Sequence, residues 1–281
     1  MAEILPLDAA IARHIHDGDV VAMEGFTHLI PHAAGHELIR QAVRNLTLLR
    51  LTPDLIADQL IGVGAVSRLV FSWGGNPGIG SLHRFRDAVE HGWPRPIELV
   101  EHTHATMTAA WVAGASNLPF GTLRASPGTD LPPLNPAIGS VECPFTGERI
   151  TAVAAHRPDV AVIHAQRADR LGNIQLWGIL GVQKEAVLAA SRVIVTVEEI
   201  VSRLDRRPGD ILLPAAVIDA VCEVPGGAHP SFAQGYSTRD NAFYAKWDGI
   251  ARDRQRFADW IDRHVRGTRD MREFLEGIRA Q

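Results

Sequence analysis

The residues best placed for chemistry sit in two glycine-rich turns. Glu24-Gly25-Phe26-Thr27-His28-Leu29-Ile30-Pro31 follows the apolar run ending at Met23, and Gly74-Gly75-Asn76-Pro77-Gly78-Ile79-Gly80-Ser81 follows the run Arg68 to Ser72. Glycine permits positive φ and close approach of a ligand to the backbone. A helix opening near Ser81 would point free N–H groups and a positive dipole end at an anion. Glu24 ends an apolar strand, where burial would raise its pKa; its open roles are a reactive acid or a structural acid paired with an arginine or a backbone N–H. Glu198 and Glu199 stand in a similar place after Val195-Thr196-Val197 and read as structural acids. Two further turns, Asp169-Arg170-Leu171-Gly172-Asn173 and Pro225-Gly226-Gly227-Ala228-His229-Pro230-Ser231, also fall near strand ends.

Several chemistries are disfavoured by their missing signatures. No Gly-Lys-Ser/Thr follows the second turn, Gly-x-Gly-x-x-Gly is not formed, and there is no Gly-x-Ser-x-Gly elbow. Of thirteen histidines, His28, His32 and His36 have i, i+4, i+8 spacing, but Pro31 and Gly35 argue against a continuous helix carrying all three. His102 and His104 would share a face only in an extended chain. With no closed ligand set and no His-Glu-x-x-His, no metal is expected. Met107 and Trp111 read as core.

The elements that must hold these turns alternate. Strands are expected at Asp19–Met23, Leu46–Leu51, Arg68–Ser72, Ile97–Glu101, Val160–His164, Val193–Val197 and Ile211–Leu213. Helices are expected at Leu7–His16 with Asp8 as a cap, Ala33–Val43, Ser81–His91, Thr103–Gly114 and Gln183–Ala190. Val217–Val224 fits a helix or a strand. Asn241 to Arg279 is helical in pattern, with Trp247, Ile250, Phe257, Trp260, Ile261 and Val265 at three- and four-residue steps. The rhythm predicts an α/β fold with a mainly parallel sheet and helices on both faces. Pro119 to Pro144, rich in proline and glycine, breaks it and is expected to be a long loop, either a surface excursion or a functional or interfacial segment. The 281 residues are expected to form one domain, with the helical part at about 241–279 at its end.

Composition narrows the class. The chain is 46% hydrophobic and 21% charged, enough apolar surface for a folded core, and its formal charge of −4 disfavours a nucleic-acid binder. Two distant cysteines, Cys143 and Cys222, exclude a disulfide framework and fit a reducing, cytoplasmic setting. No signal peptide and no membrane span are expected.

At the turns the sequence resembles a known family. Asp17-Gly18-Asp19-Val20-Val21-Ala22-Met23-Glu24-Gly25-Phe26 resembles the N-terminal signature of the family I CoA-transferase alpha subunit. Gly75-Asn76-Pro77-Gly78-Ile79-Gly80-Ser81-Leu82-His83-Arg84 is similar to the glutaconate CoA-transferase branch. So are Asp159 to His164, Asp169 to Asn173, Val197-Glu198-Glu199-Ile200 and Pro225 to Pro230; together these cover about residues 5 to 265. Where the family usually has Gly-Gly-Phe, this chain has Glu24-Gly25-Phe26, in a shorter loop.

The resemblance implies an open α/β, Rossmann-related fold. It implies a glutamate that attacks an acyl-CoA thioester, with transfer through an acyl–glutamyl anhydride and a glutamyl-CoA thioester. In two-subunit members that glutamate belongs to the beta subunit, in a Ser-Glu-Asn-Gly or Glu-x-Gly context. The Glu-x-Gly here, Glu90-His91-Gly92, ends a predicted helix, which is the wrong setting. The expectation is therefore an alpha subunit, inactive alone, in a hetero-oligomer with two or more copies of each subunit. It needs no cofactor, since the CoA thioester is a substrate, and its other substrate is a dicarboxylic or 3-oxo acid. Substrate contacts are expected from Gly25, Phe26, Asn76, Gly78, Gly80, Ser81 and Arg84, with the turn amides holding an oxyanion or a distal carboxylate. Acyl-CoA hydrolysis, decarboxylation or a non-catalytic binding role on the same scaffold are the alternatives.

Overall fold

The computed structural model describes residues 2–76, 78–125 and 128–279, so Pro77 and Pro127 of the stretches above lie outside the described residues. The strands are β1 (Glu3–Ile4), β2 (Val20–Glu24), β3 (Leu46–Leu49), β4 (Val66–Phe71), β5 (Glu98–Glu101), β6 (Phe120–Leu123), β7 (Ile138–Glu142), β8 (Arg149–Ala154), β9 (Val160–Asp169), β10 (Ile174–Leu176), β11 (Arg192–Val201), β12 (Ile211–Leu213) and β13 (Ala220–Glu223). The α-helices are α1 (Leu7–His14), α2 (His32–Arg40), α3 (Leu55–Gly62), α4 (His83–His91), α5 (His104–Ala115), α6 (Leu131–Leu134), α7 (Gln183–Ala189), α8 (Asn241–Ala251), α9 (Arg254–Ile261) and α10 (Met271–Arg279).

Eight strands form a sheet in the order β1-β13-β11-β9-β2-β3-β4-β5, every neighbour parallel. Such a sheet must bury both faces, and the strands show it. Val21, Met23, Leu46, Leu48, Leu69, Val160 and Val162 face one core with α1 to α3 and the C-terminal helices. Ala22, Leu49, Val70, Ala161 and Ile163 face the other with α5 and α7. β10 and β12 extend the sheet antiparallel beyond β9.

Local chemistry sets the helix ends. Thr103 and Thr106 form a reciprocal capping box at the start of α5. Asp54, Asp240 and Asp253 cap α3, α8 and α9 by accepting from Ile56, Phe243 and Arg256 amides. Asp8 is not a cap; it lies in the first turn of α1, which starts behind Pro6.

Two further expectations need correction, and two open readings are resolved. The stretch 119–144 is not a long loop: β6 and β7 flank β8 in a separate antiparallel sheet packed on α5. Helix α4 starts at His83, because Ser81 and Leu82 are held outside it. Segment 217–224 divides into the end of a 3-10 turn and strand β13. His102, just after β5, is buried whereas His104 opens α5 exposed, so they share no face.

Candidate active site

Parallel α/β sheets bind ligands beyond the carboxyl ends of their strands. There the loop after β2 is locked from several sides. Gly25 is required because a Cβ would stand 2.5 Å from the Leu29 carbonyl oxygen. Thr27 and Leu29 take positive φ (57° and 53°), held by bonds from Ser231 Oγ to the Thr27 carbonyl and from the Leu29 amide to the Phe232 carbonyl. His28 Nε2 accepts from the Gln234 amide at 2.9 Å, so Nδ1 carries the proton donated to the Ile179 carbonyl. Burial holds His28 below the ordinary histidine pKa, consistent with a neutral clamp.

Glu24 is buried, and its Oε1 accepts the Leu51 amide at 2.9 Å, fastening β2 to the end of β3. Burial pushes its carboxyl up to about 8, against the pull of Arg50. Arg50, fully buried, donates to the Met23 and Gly25 carbonyls and to Asp54 Oδ2 at 2.8 Å. The raised pKa expected from sequence is present, and the geometry is that of the structural acid, with the carboxyl turned into the fold. Sequence reasoning misses the Arg50–Asp54 pair; its signal is the four-residue step from a strand end to a helix cap.

In the second turn, Gly75 donates to the Pro53 carbonyl and Ile79 to the Asn76 carbonyl. Gly78 and Gly80 take φ of 78° and 74°. Asn76 is 3% exposed, yet neither atom of its side-chain amide has a hydrogen-bond partner among the described residues. Trp73 nearby in the chain is 46% exposed. The amides further on are spent within the fold. The Ser81 amide donates to Asp248 Oδ1 at 3.2 Å, and those of Arg84 and Phe85 both donate to Asp58 Oδ1 at 2.9 Å. Asp58, also missed in the sequence, is pushed by burial up to about 7. Arg84 turns inward to Asp87 at 3.0 Å and to the Arg252 carbonyl, under the Trp93 ring. The structure thus separates Arg84 from the turn: its charge belongs to the α4 and C-terminal helix packing, not to a ligand. Phe26 does reach the site's rim, half-buried, with its ring edge-on to His104 and the centroids 6.4 Å apart.

Most of the other acids and histidines singled out in the sequence are engaged, whereas the buried rings of His32 and His102 have no hydrogen-bond partner among the described residues. Glu198 Oε1 meets His164 Nε2 at 3.0 Å, while Oε2 accepts the Gly226 amide at 2.7 Å. Glu199 accepts from Tyr236 Oη at 2.7 Å and from Arg167 at 3.2 Å. Asp169 closes the β9–β10 turn by accepting the Leu171 and Asn173 amides. His32 and His36 lie in α2, with His36 bonded to Gln59 and held down at about 3 by burial; His28 sits in the preceding loop, on other partners. Among the described residues no three His, Cys, Asp or Glu side chains come together as a metal site.

Comparison with known proteins sets this geometry in a family. The coenzyme A transferase family model matches residues 5–224. The A-type subunit of the 3-oxoadipate CoA-transferase of Pseudomonas knackmussii is 61% identical over 99% of both chains. The crystal structure of glutaconate coenzyme A-transferase from Acidaminococcus fermentans superposes with a TM-score of 0.90 at 30% identity, over 99% of this chain and 93% of that one. The decarboxylase AibA/AibB superposes with a TM-score of 0.84 at 31% identity, over 93% and 97%. The chain belongs to the coenzyme A transferase family. Within it, this is a CoA-transferase subunit of the alpha type. No helix among the described residues is long and apolar enough to cross a membrane.

Proposed function

We propose that this chain forms one half of a two-subunit enzyme that moves CoA between an acyl-CoA and a dicarboxylic 3-oxo acid, 3-oxoadipate or a close analogue. The observation that carries this reading is the 61% identity, end to end, with the A-type chain of a 3-oxoadipate CoA-transferase. The site chemistry agrees. The strand-end glutamates that the sequence offers, Glu24, Glu198 and Glu199, are bonded to protein groups. As the family resemblance implies, the attacking carboxylate comes from a beta subunit, and the covalent relay splits one hard exchange into easier steps. This chain contributes the lip: Gly25, Phe26, Asn76, Gly78, Gly80 and Ser81 contact substrate, and Asn76 supplies an amide already desolvated. No cofactor enters, and a reducing cytoplasmic compartment suits its two unpaired cysteines.

The test is to assay the purified chain alone and with its beta subunit, following acyl-CoA, free CoA and the new CoA ester. The reading expects no turnover alone, and with the partner a new ester formed one-for-one with consumed acyl-CoA. Release of free CoA as the main product would mean hydrolysis, and turnover by the lone chain would refute the division of labour.

A further inference from the structure

The loop from β11 to β12, residues 202–210, carries three exposed arginines, Arg203, Arg206 and Arg207, and none of them forms an ion pair among the described residues. Arg206 and Arg207 line an open cleft of about 510 Å³ with Pro208, Asp210 and Leu212. The acid in that cleft is taken up by the fold. Asp210 Oδ2 accepts the Arg207 amide at 3.1 Å and the side chain of buried Gln175, and the Asp210 amide closes the turn onto the Arg207 carbonyl at 3.2 Å. The Arg207 guanidinium lies 5.9 Å from the Trp177 ring, a cation–π distance that holds it beside an aromatic face. Arg167, over the same ring at 5.8 Å, is already bonded to Glu199 and Tyr236. The cleft thus presents two guanidinium groups that no carboxylate pairs, and planar, permanently charged forks of this kind recognise phosphate.

A short run of chain ties this cleft to the first glycine-rich loop. Gly181 packs on Phe26, where a Cβ would stand 2.9 Å from the Phe26 Cβ, and the Ile179 carbonyl accepts the His28 ring proton at 2.9 Å. Trp177 is clamped by Gln166, through its amide at 3.1 Å and its carbonyl at 3.0 Å. From Gly181 to Trp177 the chain spans at most about 14 Å, a reach that the pantetheine arm of a CoA ester can make. We propose that Arg206 and Arg207 bind the phosphate groups at the nucleotide end of the acyl-CoA, whose thioester lies at the Gly25–Phe26 lip. Trp177 is a positioning residue, acting through Arg207. The inference rests on the acyl-CoA reading above and deepens it, by assigning the donor's phosphates to this chain rather than to the beta subunit.

The experiment titrates the enzyme, assembled with its beta subunit, with CoA and with pantetheine, which has the arm and thiol but no phosphate, and follows the heat of binding. Arg206→Ala combined with Arg207→Ala is expected to weaken CoA about 10- to 100-fold, the range of lost charge-assisted bonds, and to leave pantetheine within about twofold. Exposed charges are screened by salt, so CoA affinity in the wild type should fall as ionic strength rises, and the double variant should flatten that dependence. Trp177→Leu weakens CoA by a smaller factor of about 3 to 10, and Trp177→Phe, which keeps an aromatic face, recovers most of it. Unchanged CoA affinity in the double variant, or equal losses for CoA and pantetheine, would overturn the inference while leaving the proposed reaction intact. So would failure of the double variant to assemble, seen by size-exclusion chromatography, since the arginines would then serve the beta subunit. A wild-type assembly that binds no CoA would overturn the acyl-CoA reading, and this inference with it.

Discussion

Replacing Glu24 by glutamine should stabilise the protein. The carboxyl is 1% exposed and burial holds it at about 8, whereas an unfolded chain ionises it near 4.5. The folded state therefore binds a proton that the unfolded state has released throughout that window. The sign follows: stability from this group is complete below about pH 4.5, falls as pH rises, and is lost above pH 8. At 1.36 kcal/mol per pH unit, ionisation of the unfolded chain costs the fold about 3 kcal/mol at pH 7 and about 5 kcal/mol above pH 8. Glutamine keeps an oxygen for the Leu51 amide and cannot ionise. Its extra N–H needs an acceptor, so we expect a net gain of about 1–3 kcal/mol at pH 7. Urea unfolding of both proteins at pH 5, 7 and 8.5 checks this, and their difference isolates Glu24 from Asp54 and Asp58, which burial also raises. The difference should grow with pH. A variant less stable than wild type at every pH would refute the reasoning. Loss of CoA transfer in a stabilised variant, assayed with the beta subunit, would restore a chemical role for this acid.

Two more expectations come from the second turn. Asp58→Ala removes the acceptor of two amides at the head of α4 and should cost about 2–3 kcal/mol in the same unfolding assay, with Asp58→Asn losing less. Asn76→Ala removes a buried amide that has no partner among the described residues, so stability should change by less than about 1 kcal/mol while KM for substrate rises about 5- to 10-fold; a large loss of stability without a kinetic effect would make Asn76 structural.

Much of the parallel sheet is legible because doubly buried strands read as short apolar runs between turns. The runs starting at Leu46 and Val160 start where the parallel strands do, and in the antiparallel extension Ile211–Leu213 matches its expected span. The ends of β9 and β11 are hidden, since both continue as polar residues that pair with each other, Glu199 opposite Arg167. β6 and β7 are hidden for another reason. They are short, carry Gly121 and Gly139, and take their pattern from β8, which lies downstream in sequence. At the site, Glu24 as a buried strand-end acid can be read from its neighbours. The inward turn of Arg84 cannot, because it depends on Asp87 and the Arg252 carbonyl meeting it across packed helices.

The family match ends at residue 224, but the interior does not. Phe243, Trp247, Phe257 and Trp260 fill the same core as Met23, Ile56 and Leu69, and Arg254 reaches back to both oxygens of Asp87. A polypeptide ending at residue 224 would lose that wall of aromatic rings and lay bare Ile56, Leu60 and Ile61 of α3 beneath it. The tail after 224 is thus the keystone of this subunit's interior.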